Sequence, residues 1–385
     1  MVLGIDASNI RRGGGVTHLV ELLRAANPLA HGFEKVVVWS GRATLSRIEH
    51  RPWLVKSHQE ALDGRLPSRV YWQRFRLSQA AHEADCDLLF VPGGSFAGHF
   101  HPVVAFSQNL LPFEWAEVRR YGGSWMTAKL LLLHLTQLRT FRRADGLMFL
   151  TRYAKDIVLK AVGEFRSRVT IIPHGIDNEF LRAPREQHPI GEYSSARPFR
   201  LLYVSVVDVY KHQWHVAEAV GRLRSEGFPL ALDLVGPAYP RALKRLTGVI
   251  KRVDPGGQFI RYWGPVQHDE LPNWYAQADL CVFASSCETF GQILLEAMSG
   301  SMPIACSDRS ALPEVLTDAG IYFDPQDPDA IANAILELVL SPELRYQKAT
   351  KAFRVANTYS WKQCARDSFA FFAEVATTTP KPPTR

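Results

Sequence analysis

Along this chain, short aliphatic and aromatic runs alternate with stretches in which apolar positions return every three or four residues. The runs predict strands at 2–5, 36–39, 88–91, 103–106, 147–150 and 169–172, then at 199–205, 230–235, 259–262, 280–283 and 303–305. Strands alternating with helices over nearly the whole length point to parallel α/β architecture. Each series fits one open sheet, which predicts two Rossmann-like doubly wound domains facing each other across a cleft. The stretch APREQHPIGEYSSARP, 183–198, is rich in Pro, Gly, Ser and charge and has no sustained period, so it reads as a linker. The expected domains are then 1–182 and 199–360. Residues 361–376 form an amphipathic helix expected to pack back toward the N-terminal domain, and 377–385 should be disordered.

Length agrees with two domains, because 385 residues exceed what one hydrophobic core usually holds. No uninterrupted apolar stretch reaches the ~18 residues that a membrane-spanning helix needs, and the start, MVLGIDASN, lacks the basic and apolar regions of a signal peptide. The chain is therefore expected in the cytoplasm. Its five cysteines show neither metal-ligand pairing nor disulfide density and read as buried thiols. A net charge of +7 favours anionic partners without choosing among them.

Two stretches carry candidate chemistry. After the first strand, ASNIRRGGG leads into a helical pattern near Val16, and Gly14 and Gly15 would let backbone amides approach a phosphate or sugar. The spacing is not G-x-G-x-x-G, and a turn without a ligand fits it equally well. The second stretch, SSCETFGQILLEAMSGSMPIA at 285–305, follows a buried strand and turns helical near Gly291. A helix starting there aims free amides outward, suited to a diphosphate. Glu288 lies just before the helix, and Glu296 lies about 7.5 Å along it, so the pair could straddle a bound diphosphate. Taken alone, a capping glutamate and a solvated one would explain the spacing as well.

The order of motifs adds a resemblance. CETFGQILLEAMSGSMPIA is similar to the E-x-F-G-x-x-x-x-E stretch of the retaining glycosyltransferases of family 4, which have the two-domain GT-B fold. IIPHGID at 171–177, LLYVSVVDVYKH at 201–212, LDLVGP at 232–237, and the segments 261–285 and 310–335 resemble that family in the same order. The resemblance implies transfer of a sugar from a UDP- or GDP-linked donor to a saccharide or lipid-linked acceptor, in bacterial surface polysaccharide or lipopolysaccharide synthesis. It implies that Glu288 contacts the transferred sugar, that Glu296 binds the ribose, and that Lys211 neutralises the donor diphosphate. Backbone amides of Phe290, Gly291 and Gln292 would complete the donor site with Gly14, Gly15, Gly236 and Trp263.

Two departures from the family pattern stand out. Ser205 and Val206 replace the usual glycine and arginine before Lys211, so one expected cation is missing unless Arg11, Arg12 or Arg309 substitutes. Gln108 and Asn109 stand where many members carry His-Asp; neither can act as a base, which leaves them hydrogen bonding to a sugar or acceptor hydroxyl. A retaining enzyme of this kind needs no such base if the leaving phosphate takes the acceptor's proton on the same face of the sugar. With the phosphate already served by Lys211 and helix dipoles, no cofactor or essential metal is expected.

Residues 119–143 combine arginines at both ends with Trp125, Lys129 and a leucine run. They read either as a contact with an anionic membrane, which would put the protein at the inner face of the cell membrane, or as a core helix with solvated ends. Competing functions are an epimerase-like enzyme acting on nucleotide sugars and a catalytically inactive binding relative. Nucleic acid is not expected as a partner, because the basic residues are scattered and no recognition motif accompanies them.

Overall fold

The structure is a computed structural model and describes residues 1–11, 13–165 and 167–379. Its strands are β1 Val2–Asp6, β2 Lys35–Ser40, β3 Leu54–His58, β4 Leu88–Val91, β5 Val103–Phe106, β6 Gly146–Phe149 and β7 Arg168–Ile171, then β8 Phe199–Val204, β9 Leu230–Val235, β10 Ile260–Gly264, β11 Leu280–Phe283, β12 Ile304–Ser307 and β13 Ile321–Phe323. They form two sheets, β3-β2-β1-β4-β5-β6-β7 and β10-β9-β8-β11-β12-β13, in which every pairing is parallel. Two doubly wound α/β units result. In each, strand order reverses once, between β1 and β4 and between β8 and β11.

Central strands are apolar at consecutive positions because helices cover both faces: β4, β5, β6, β11 and β12 are buried at every residue. Two edge strands, β3 and β13, were not among those expected. β3, Leu-Val-Lys-Ser-His, exposes three of its side chains and shows no apolar run, while β13, Ile-Tyr-Phe, is apolar but only three residues long. Backbone pairing with β2 and β12 makes them strands.

The first unit comprises Met1–Val118, Gly122–Gly175 and Ser360–Arg385; the second comprises Arg119–Tyr121 and Ile176–Tyr359. The crossing therefore falls at Gly175, ahead of the 183–198 stretch. That stretch belongs to the second unit, where Arg185 donates to the Ala276 carbonyl at 2.7 Å, Tyr193 to Asp279 at 3.1 Å, and the buried Arg345 to Gln187 at 3.1 Å. Its composition suggests a flexible connector, but its polar groups have fixed partners. The C-terminal helix, Trp361–Thr378, starts on a Ser360 cap and lies in the first unit, packing Phe372 tilted against Phe90 at 4.7 Å and Phe369 edge-on to Phe33 at 6.0 Å. Residues 377 and 378, assigned to the disordered tail, close this helix, while 380–385 lie outside the described residues.

Candidate donor-binding site

In open α/β sheets, ligands bind beyond the carboxyl ends of the strands where strand order reverses. In the second unit that point lies between β8 and β11, and the loops leaving these two strands carry most of the residues singled out above. From β8, the loop 205–212 reaches Lys211; from β11, the loop 284–291 reaches Glu288. The Ser286 amide donates to the Tyr210 carbonyl at 2.8 Å, which ties the loops together. Lys211 and Glu288 meet across this tie as an ion pair, with side chains only 5% and 16% exposed. The Lys211 ammonium also lies 5.1 Å from the ring centres of both Tyr210 and Phe283, and its carbonyl accepts the Tyr203 hydroxyl at 2.6 Å. A buried lysine with one carboxylate partner and two aromatic faces is a cation that an incoming anion could share.

Glu288 is held by its backbone: Ser310 Oγ accepts its amide and donates to its carbonyl, both at 2.7 Å. Three residues further, Gly291 adopts φ +89° as the N-cap of helix Gln292–Ser299, and a Cβ there would lie 3.0 Å from Leu312. Glycine is favoured at this φ. Gln292 is the first residue of the helix, so its amide belongs to the group without intrahelical acceptors. Phe290 is buried, edge-on to Tyr359 at 5.5 Å. Glu296, on the same helix, is 3% exposed; it accepts from the Tyr275 hydroxyl at 3.2 Å and lies 3.5 Å from His268.

His212 follows Lys211 with φ +50° and caps helix Gln213–Ser225. Ser286 Oγ donates to the Tyr210 carbonyl at 3.2 Å and so accepts from His212 Nε2 at 2.9 Å, which leaves Nδ1 as a buried acceptor without a partner. Burial pushes the imidazole pKa down to about 3, so the ring is neutral at physiological pH. Asp208, whose carboxyl is raised above its usual value by burial, accepts from the Tyr121 hydroxyl at 2.9 Å and the Val209 amide at 2.7 Å. His212, Ser286, Ser310, Tyr275 and the Tyr121–Asp208 bond were not read from the sequence. The histidine beside Lys211 was the one available signal; the others are joined by long-range contacts that no local pattern carries.

Of the remaining candidates, Gly236 closes β9 at φ +139°, and a Cβ there would fall 2.1 Å from the Ser205 carbonyl, so this glycine lets the loop toward Lys211 pass. Trp263 stands on the edge strand β10, separated from β8 by β9, where its indole donates to Asp233 at 2.7 Å and packs on Trp274. The structure thus keeps Trp263 apart from the Lys211–Glu288 pair in strand order. Arg309 is committed to Asp324 at 2.7 Å and Asp308 at 3.1 Å, Arg11 bonds the Gly64 carbonyl at 3.2 Å, and Arg12 lies outside the described residues. Lys211 is the cation that this site buries.

In the first unit, helix Gly14–Ala25 starts two residues earlier than its apolar period suggests, with Gly13 as its cap. A Cβ on Gly15 would sit 3.9 Å from Gln108 Oε1, so these two candidates are neighbours; Gly14 has open space around it. The Gln108 amide group donates to the Pro92 carbonyl at 3.0 Å, and Asn109 Oδ1 accepts the Leu111 amide at 3.2 Å. All five cysteines are buried and outside any disulfide, and among the described residues no three His, Cys, Asp or Glu side chains gather as a metal-binding group.

This arrangement defines a class of protein. Residues 12–180 match the family model for Glycosyltransferase Family 4 and residues 198–341 that for Glycosyl transferases group 1, together more than three quarters of the chain, and the chain belongs to these glycosyltransferases. Its relatives include O-antigen chain mannosyltransferase B of Escherichia coli, 41% identical over 106 residues, which are 28% of this chain and 28% of that protein. The chain thus spans about a quarter of that relative in the match. Among solved structures, it is similar to sucrose-phosphate synthase from Thermosynechococcus elongatus, with a TM-score of 0.75 at 17% identity over 98% of this chain and 100% of that one. Anabaena HepE in complex with UDP-glucose is similar with a TM-score of 0.70 at 17% identity, over the same shares. At such identities the likeness speaks for the fold, two doubly wound parallel sheets of the GT-B class.

Proposed function

We propose that this protein transfers a sugar from a UDP- or GDP-linked donor to a saccharide or lipid-linked acceptor, with retention of configuration, in surface polysaccharide synthesis. The observation that carries this reading is the buried Lys211–Glu288 pair at the strand-order reversal of the second sheet, beside the N-terminus of helix Gln292–Ser299. A diphosphate set there would meet the Lys211 ammonium and the positive end of the helix dipole, both of which stabilise charge developing on the leaving group. Glu288 would then be released to face the sugar, and Glu296 would hold the ribose hydroxyls. With charge neutralised by the protein, the transfer is proposed to need no metal. UDP-glucose bound to the structurally similar Anabaena protein and the mannosyltransferase named above lend support to a nucleotide-sugar donor.

The same reading extends to location. Helix Trp125–Arg143 leaves Trp125, Leu131, Leu132 and Leu135 exposed, Trp125 at 82%, and its last two turns expose Arg139, Arg142 and Arg143. Apolar side chains next to arginines suit the interface of an anionic membrane, the cytoplasmic face in this proposal, although no helix among the described residues is long and apolar enough to cross one.

Calorimetry with UDP, GDP, ADP, dTDP and their sugar conjugates, with and without EDTA, tests the reading. One nucleoside diphosphate should bind whether or not EDTA is present. Binding that vanishes on chelation would refute metal independence, and binding by none would refute the donor site.

A further inference from the structure

The first sheet has its own strand-order reversal, between β1 and β4, and a polar cluster there has no part in the donor chemistry above. β1 ends at the buried Asp6, which accepts from the Ser8 amide at 3.1 Å and from the Gln73 side chain. Gln73 also donates to the Ser95 carbonyl at 2.9 Å and accepts from the Ala97 amide at 3.2 Å, pinning helix Leu66–Phe75 across the segments that follow β1 and β4. One turn earlier on this helix, Arg69 donates to Asn9 Oδ1 at 3.0 Å and to the Ser8 carbonyl at 3.5 Å, while its Nε is buried without a partner. Asn9 lies between the two loops, since a Cβ on Gly93 would meet it at 3.6 Å. Among the described residues Arg11 donates to the carbonyls of Gly64 and Asp63, at 3.2 and 3.4 Å. Burial, and then the charge of Arg11, weaken the hold of Arg69 on its proton. Among the described residues neither guanidinium has a carboxylate partner.

We propose that Arg11 and Arg69 bind a phosphate group of the acceptor, Asn9 holding Arg69 in position. Among the described residues these two guanidiniums, which repel each other, bond to neutral groups at the carboxyl end of a parallel sheet, and the planar fork of arginine donors matches phosphate oxygens. The same helix exposes Leu66, Val70, Tyr71 and Phe75, so a phosphate joined to an apolar chain fits as well as one joined to a sugar. The assignment of this phosphate to an acceptor rests on the transferase reading; the site itself does not.

The test is calorimetry on the full chain, with the nucleoside diphosphate that binds best present at saturation so that Lys211 is occupied, or without one if none binds. The probes are mannose 1-phosphate and farnesyl diphosphate, applied to wild type, R11Q, R69Q and R69K. At least one probe should bind wild type, lose about tenfold or more in affinity in R11Q and in R69Q, and recover partly in R69K. Preference for farnesyl diphosphate would mark the source as a lipid, and preference for mannose 1-phosphate as a sugar phosphate. Binding by neither probe, or equal binding by wild type and both glutamine variants of unchanged Tm, would overturn the site. Loss of nucleotide binding in wild type alone would strike the donor reading and leave the phosphate result standing.

Discussion

At Lys211 and Glu288 two residues 77 positions apart share a buried ion pair, and each needs the other. Removing one partner leaves the second as an uncompensated charge, a cost of about 3–5 kcal/mol for a buried pair. Lys211→Ala should therefore lower Tm as well as transfer, and a donor diphosphate should restore less stability to it than to wild type. The glutamates should separate by role. Glu288→Ala is expected to keep nucleotide affinity within about threefold while transfer falls by about 10² or more, as for loss of a group aimed at the reacting centre. Glu296→Ala, which loses an acceptor for ribose hydroxyls, should weaken nucleotide binding about tenfold. Calorimetry with the nucleotide beside a transfer assay checks both, and equal effects on nucleotide affinity would contradict this division. The carboxylate spacing was readable as a pattern around a glycine; the pairing of Glu288 with Lys211 was not, because it closes across two loops.

At the scale of elements, the apolar runs found the central strands and missed β3 and β13, whose identity comes from hydrogen bonding to a neighbour. Helix Trp125–Arg143 shows the opposite case. Its consecutive leucines admit both a core helix and an interfacial one, and the structure divides them: Leu130 and Phe141 are buried, while Leu131, Leu132 and Leu135 face outward. Burying three or four such side chains in a lipid interface contributes about 1.5–3 kcal/mol each when burial is complete. The triple variant Trp125→Ser, Leu132→Ser, Leu135→Ser should thus sediment with phosphatidylglycerol vesicles far less than wild type while keeping nucleotide affinity. Unchanged sedimentation, or none by wild type, would remove the helix from any membrane role.

The whole molecule should be acid-sensitive in both units for one reason. In the first, His18 and His174 are buried with their Nδ1 atoms 3.0 Å apart, and burial holds His18 down to about 3 and His174 well below its usual value; in the second, His212 is held down to about 3 by burial. Because these folded values lie below the ordinary 6.5, the unfolded chain takes up protons first. Stability is then complete well above pH 6.5 and falls as pH drops toward 3, by about 2 kcal/mol each for His18 and His212 between pH 6.5 and 5. The drop in Tm from pH 7 to pH 5 should shrink in His18→Gln and in His212→Gln relative to wild type. Identical drops in all three proteins would show that these rings do not report burial.

What the chain determines by itself is local and periodic: consecutive apolar residues demand strands buried on both faces, glycine at 291 permits a positive φ before a helix, and Glu288 and Glu296 bracket that helix start. Such features survive in a linear pattern because each depends on near neighbours. Tertiary structure alone decided which charges meet, that Trp263 belongs to an edge strand, that 183–198 is pinned to the second unit, and that Arg11 and Arg69 have no carboxylate partner among the described residues. Those outcomes depend on which loops leave neighbouring strands, and strand order is set by packing of whole units rather than by any short stretch of sequence.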